Sequence, residues 1–283
     1  MSIWFVEDDM RVYGLLFKIK KTLFTGESKY QKIEVFETEE MGRLLALDGM
    51  VMSCEYDEFS YHEMIAHVPL YTHPNPREVL IVGGGDGGTA REVLKHEIVE
   101  SVDMVEIDAE VVEVTKKYIP SLGRYFDNPK LRIYIEDGLK YVEKTNRKYD
   151  IILIDGSDPV GQAVGLFSKE FYTNCKSILK DDGIMVSQTE TPYDVTLKKH
   201  VPGIYRNLKS VFPETRMYLA HVACYPSGMW SFSFSSKKYD PIKDFQKERY
   251  ERDNLDLKYY NSAVHKSCFS LPNFVKKMIN EKS

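Results

Sequence analysis

Hydrophobic and polar positions change their period once along this chain. From residue 15 to residue 60 the pattern is that of strands. "KYQKIEVF" (Lys29 to Phe36) alternates and is rich in β-formers. "RLLALDGMVM" sets two apolar runs on either side of Asp48-Gly49, a dipeptide suited to the left-handed backbone of a two-residue hairpin. A small antiparallel unit is expected. "EFSYHEMIAHVPLYTH" follows, with Phe59, Met64, Ile65 and Val68 at helical spacing, and the two prolines of "HPNP" stop it.

From Arg77 onward, strands and helices alternate. "EVLIVGG", "SVDMVEID", "LRIYIEDG" and "YDIILIDG" read as strands; "GTAREVLKH", "AEVVEVTKKYI" and "LKYVEKT" read as helices between them. This order predicts a parallel sheet with helices on both faces, an α/β fold. "GIMVSQTE" and "SFSFSS" add strands. Trp230, Phe232 and Phe234 alternate with serines, so one buried face is expected there. The charged stretch "IKDFQKERYERDNLDLKYY" reads as solvated surface.

Ligands of an open parallel sheet bind beyond the carboxyl ends of its strands. Each of the first four strands ends in acid: Asp86 in the glycine loop, Glu106 and Asp108, Asp137 beside Gly138, then Asp155 and Asp158. Any one of them is explained as a helix cap. Four on one rim repel each other unless a cation compensates, and point to an acidic pocket.

Glu106, at the end of the second strand, has the place of an acid that binds ribose hydroxyls, so the ligand should contain a nucleoside. "GGGDGG" matches the dinucleotide fingerprint, yet Asp86 would repel a pyrophosphate. S-adenosylmethionine offers an ammonium but also a carboxylate. Its decarboxylated form keeps only the ammonium, and charge complementarity favours it.

Composition narrows the classes further. A net charge of −5 over 283 residues gives no global attraction to nucleic acid or to an anionic membrane. The four cysteines (Cys54, Cys175, Cys224, Cys268) include no C-x-x-C pair, which argues against a disulfide framework or a zinc site and for a reducing compartment. The N-terminus lacks a signal-peptide core and no apolar run approaches ~20 residues, so a cytoplasmic protein is expected.

"GGGDGG", "VEID", "EDG", "DGSDPVG" and "YPSG" occur in the order found in the polyamine aminopropyltransferases, and the chain resembles their spermidine synthases over nearly its whole length. The resemblance implies an N-terminal β domain (residues 1–60) that serves in oligomerisation and in the active-site rim. A Rossmann-like, methyltransferase-type domain (residues 61–283) with a mostly parallel sheet would follow, assembled as a homodimer or homotetramer. It implies transfer of an aminopropyl group from decarboxylated S-adenosylmethionine, a co-substrate, to putrescine, with no further cofactor and no metal. Acceptors such as agmatine, cadaverine or a longer polyamine, and a methyltransferase, stand as alternatives.

By the same resemblance, Gln31 contacts the nucleoside, Glu106 the ribose, and Asp137 and Gly138 the adenine. Asp86 meets the aminopropyl amine, Asp155 is the base, and Asp158 holds the amine substrate. Tyr61, His62, Gln188 and Tyr225 line the amine channel. The sequence departs from the family at Gln162, which stands in "DPVGQA" where a nucleoside-contacting proline is usual.

Overall fold

The computed structural model describes residues 2–7, 13–157, 161–193 and 200–280. Alternation near the N-terminus produces one antiparallel sheet of five strands, paired in chain order: β1 (Ile3–Glu7), β2 (Leu15–Glu27), β3 (Lys32–Thr38), β4 (Arg43–Leu47) and β5 (Met50–Cys54). Asp48 and Gly49 both have positive φ, +48° and +85°, as the turn between β4 and β5 requires.

Helix α1 (Glu58–Leu70) is buried on every side, and Phe59 is its one residue that is not buried. It ends before "HPNP", because Pro69 already occupies its last turn.

The second sheet contains β6 (Glu78–Gly83), β7 (Ser101–Glu106), β8 (Leu131–Ile135), β9 (Tyr149–Asp155), β10 (Leu179–Gln188), β11 (Glu214–His221) and β12 (Met229–Ser236). Their order is β11-β12-β10-β9-β6-β7-β8, and the five strands from β10 to β8 are parallel. The remaining helices are α2 (Gly88–Leu94), α3 (Ala109–Tyr118), α4 (Pro120–Gly123), α5 (Gly138–Lys144), α6 (Lys169–Ile178), α7 (His200–Val211), α8 (Lys247–Asp253), α9 (Ser262–Ser267) and α10 (Asn273–Asn280).

Residues of the central strands alternate between two cores. Ile81, Leu153 and Val186 meet α1, while Leu80, Ile154 and Met185 meet residues of α5, α6 and α7. Ile33, Val35 and Leu45 of the small sheet pack on Val111 and Val114 of α3. The N-terminal sheet is thereby set over the carboxyl rim of the large one. Strand order reverses between β6 and β9, and a ligand crevice is expected at that switch point.

Two expectations are corrected. Ser231, Ser233 and Ser235 are as buried as Phe232 and Phe234, because β12 lies inside the sheet between β10 and β11, with both faces covered. The charged C-terminal stretch is not merely solvated. Arg249 is buried and donates to the carbonyls of Leu70, His73 (2.8 Å) and Pro74 (3.1 Å), where α1 ends. Glu63 accepts the backbone N–H groups of Lys258, Tyr259 and Tyr260. Among the described residues no helix is long and apolar enough to cross a membrane.

Candidate active site

The glycine loop and Asp155 meet at the switch point. Gly83 is the register partner of Asp155 and has φ +86°. A Cβ on it would fall 2.1 Å from the Asp155 carbonyl oxygen. The Gly84 N–H donates to that same oxygen at 2.9 Å. Further along, a Cβ at Gly88 would fall 2.1 Å from the His62 ring. These two glycines make room for protein atoms, which fixes β9 and α1 against the loop.

Asp155 lies on the edge of the cavity with both carboxylate oxygens engaged. Oδ1 accepts the Tyr61 hydroxyl at 2.7 Å, and Oδ2 accepts the Thr89 hydroxyl at 2.6 Å. Burial raises its pKa, and the nearby Asp86 charge acts in the same direction. His62, Thr89 and Tyr61 oppose this without cancelling it. Burial and the Asp155 charge hold the Tyr61 phenol well above its usual range, so it remains a donor. Thr89 was not foreseen; its only sequence signal is its place in the first turn after the loop, where side chains face β9.

Asp86 accepts the Gly88 N–H at 2.9 Å, and its Oδ2 lies 3.2 Å from Nε2 of His62. The other nitrogen of His62 is 2.7 Å from Glu58 Oε2, and Arg91 grips Glu58 with two bonds of 2.6 and 2.7 Å. The order Asp86, His62, Glu58, Arg91 alternates in charge through a buried region. Burial favours the neutral imidazole, but the two carboxylates outweigh it and hold His62 well above its usual pKa. Burial likewise opposes ionisation of Asp86, yet His62, the Gly88 N–H and the Ser53 hydroxyl hold it below the ordinary carboxyl range. Glu58 was also missed, although its spacing of four from His62 on a helix is visible in "EFSYH".

On the other side of the loop, Glu106 is pushed up to about 7, by burial first and then by the Asp108 and Asp155 charges, against backbone N–H groups that favour the anion. Asp108 and Asp137 do act as helix caps, accepting the N–H groups of Glu110 (3.1 Å) and Leu139 (2.9 Å). Asp108 also holds Gln31, whose Nε2 donates to it at 3.0 Å. That bond brings a side chain of the N-terminal sheet to the rim. Gly138 opens α5 directly against Val82.

These groups surround one cavity of about 530 Å³, lined by Gln31, Tyr61, His62, Asp86, Glu106, Asp137, Gly138, Asp155, Gln188 and Tyr225 among others. Gln188 donates to the carbonyls of Gly156 (3.1 Å) and Ser157 (3.3 Å), so it also braces the segment after β9. The Tyr225 hydroxyl donates to the Met52 carbonyl at 2.6 Å, and its ring stands edge-on to Tyr61. Asp158 and the side chain of Gln162 lie outside the described residues. Two further carboxylates on the cavity, Glu7 and Glu190, were not foreseen. Glu7 ends β1, outside the parallel sheet, and Glu190 lies just past the carboxyl end of β10 with φ +70°; its place at the end of "GIMVSQTE" is the signal that could have found it.

The chain matches two family models. One, described as the spermine/spermidine synthase domain, covers residues 58–247; the other, the spermidine synthase tetramerisation domain, covers residues 3–55. The polyamine aminopropyltransferase of Alkaliphilus oremlandii is 44% identical over 281 residues, 99% of both chains. That of Caldicellulosiruptor saccharolyticus is 47% identical over 280 residues, again 99% of both. A crystal structure of spermidine synthase in complex with the transition-state analogue AdoDATO superposes with a TM-score of 0.95 at 46% identity, covering 98% of this chain and 94% of that one. The spermidine synthase of Thermotoga maritima gives 0.92 at 45% identity with the same coverage.

Proposed function

This chain belongs to the spermine/spermidine synthase family and is an aminopropyltransferase, and from that premise we propose that it is the one making spermidine. Decarboxylated S-adenosylmethionine donates the aminopropyl group, putrescine accepts it, and Asp155 is the base. The observation that carries this reading is the pair of carboxylates, Asp86 and Asp155, on one cavity wall beside Glu106 and Asp137. Such a wall suits a ligand with a cationic tail and a nucleoside head.

The acceptor amine, with a pKa near ~10.4, is protonated at pH 7, and freeing it costs about 4.6 kcal/mol. Asp155, whose pKa lies above the ordinary carboxyl range, is the better suited to take that proton. The Tyr61 and Thr89 bonds hold its two oxygens in place. The amine nitrogen then attacks the carbon beside the sulfonium. A C–N bond forms, the C–S bond breaks, and its electron pair neutralises the sulfur, leaving methylthioadenosine. The leaving group is good, so positioning and deprotonation are the main tasks. Asp86, kept ionised by His62, receives the aminopropyl ammonium. Asp158, by the family resemblance, and Glu7 and Glu190, which line the cavity, are candidate partners for the far ammonium of putrescine.

The N-terminal unit (residues 1–60) would contribute Gln31 to the rim and the contacts of a homodimer or homotetramer. Ile3, Trp4, Val6 and Leu16 support this, as exposed apolar side chains on adjacent strands. Four free cysteines support a reducing, cytoplasmic setting. The decisive experiment is incubation with decarboxylated S-adenosylmethionine and a panel of amines, with the products identified by mass. Spermidine from putrescine is expected. Methyl transfer from intact S-adenosylmethionine, or a strong preference for another amine, would overturn the reading.

A further inference from the structure

Three side chains outside the cavity lining share a chemistry that the transfer reaction does not use. Cys54 ends β5, Asp57 precedes α1, and Cys224 lies in the turn between β11 and β12. They are 1%, 5% and 1% exposed. Two thiol sulfurs and a carboxylate oxygen here lie within 4.8 Å of one another.

Asp57 behaves unusually for its place. It stands at the N-cap of α1, where an Asp side chain ordinarily accepts an N–H of the first turn, but it makes no such bond. One oxygen, Oδ2, accepts the Cys224 N–H at 2.8 Å. The other, Oδ1, is buried without a hydrogen-bond partner. A buried acceptor left so is unfavourable, and a bound cation would satisfy it. Cys54 points its thiol at the Met41 carbonyl, 3.3 Å away, so a fourth donor atom, an oxygen, borders the group.

We propose that Cys54, Cys224 and Asp57 form a binding site for a thiophilic divalent cation of the Zn²⁺ type, with the Met41 carbonyl beside it. Two sulfurs with one carboxylate select such an ion over Mg²⁺ or Ca²⁺, which prefer oxygen alone. Tetrahedral zinc with bonds of ~2.3 Å to sulfur needs its sulfurs about 3.8 Å apart. Donors within 4.8 Å reach that by a small contraction. The step is not a redox one: each thiol releases a proton to solvent, and both thiolates donate an electron pair to the ion.

The site would act as a clamp. Met52, also on β5, accepts the hydroxyl of Tyr225, the residue after Cys224. An ion on Cys54 and Cys224 would tie the same strand to the same turn a second time, next to a wall of the cavity. The absence of a local C-x-x-C pair does not exclude this site, because its ligands are brought together only by the fold.

The test is a titration of the reduced, chelator-treated full chain with Co²⁺. One equivalent should produce thiolate-to-cobalt charge-transfer absorption that Zn²⁺ then abolishes. Affinity should rise by up to ~100-fold per pH unit, since two protons leave for each ion bound. Cys54→Ser and Cys224→Ser should each remove this stoichiometric signal, Cys175→Ser should keep it, and Asp57→Asn should weaken binding while the sulfur bands remain. Zn²⁺ should raise the Tm of the native chain and of Cys175→Ser but not of Cys224→Ser. Absence of the absorption in the native chain, or its persistence in Cys224→Ser, overturns the proposal.

Discussion

Nε2 of His62 lies 3.2 Å from Oδ2 of Asp86, and this contact sets the charge state on both sides of it. A second carboxylate, Glu58, holds the other ring nitrogen, and these contacts favour the cationic imidazole and the ionised Asp86 against the effect of burial. The proposed ligand ammonium would then meet an ionised carboxylate in a region where unpaired charge is expensive.

Asp86→Asn keeps the shape of the loop and removes its charge. Decarboxylated S-adenosylmethionine should bind roughly 10- to 100-fold more weakly, the range for a hydrogen bond to a charged group. Methylthioadenosine, which lacks the ammonium, should lose little. Calorimetric titration of both ligands decides it; equal losses would remove the proposed contact.

His62→Gln should cost about 3 kcal/mol of stability, as removal of one partner from a buried ion pair does. The pH profile of this loss has a definite sign. His62 has a raised pKa in the fold, so its contribution is complete below its ordinary 6.5 and disappears as pH climbs through the folded value. Asp86 and Glu58 have lowered values, so their contributions are present above 3.8 and 4.5 and are lost on further acidification. The gap in Tm between native and variant chains should be widest between these limits and close on the alkaline side. A gap independent of pH would mean that His62 is neutral.

Asp155→Asn should reduce kcat by roughly 10²- to 10⁴-fold, the usual contribution of a general base. Methylthioadenosine affinity should be preserved, because the proposed ribose and adenine contacts, Glu106 and Asp137, stand at the end of β7 and the N-cap of α5. Single-turnover assays alongside binding measurements separate the two effects. Retention of full turnover would exclude Asp155 as the base.

Burial, with the Asp108 and Asp155 charges, pushes Glu106 up to about 7, and the ribose hydroxyls of the proposed nucleoside would bond best to its ionised form. Nucleoside affinity should therefore rise as pH increases through neutrality and level off above it. Glu106→Gln should bind more weakly at alkaline pH and show no such rise. Methylthioadenosine titrations at a series of pH values, in the native chain and the variant, give the comparison.

Much of this molecule is determined locally. The alternation of "KYQKIEVF", the Asp48-Gly49 turn and the switch to strand–helix pairs at Arg77 give both sheets. Acids after successive strands must share a rim, because parallel strands all end on the same side. That single rule places Asp86, Glu106, Asp137 and Asp155 together, and all four line the cavity. What it left open depends on how distant elements pack. Whether Asp86 faces a cation was decided by α1 crossing the loop at Gly88. Two hydroxyls from different helices, Tyr61 and Thr89, converge on Asp155. The serine face of β12 is buried because its neighbours cover it, and Arg249 is buried because α1 ends against it. Cys54 and Cys224 meet because a strand of one sheet abuts a turn of the other. Periodicity reports which face of an element is apolar and the turn residues report its backbone; neither carries the relative placement of two elements far apart in the chain, and it is that placement which sets the charges and contacts of the site.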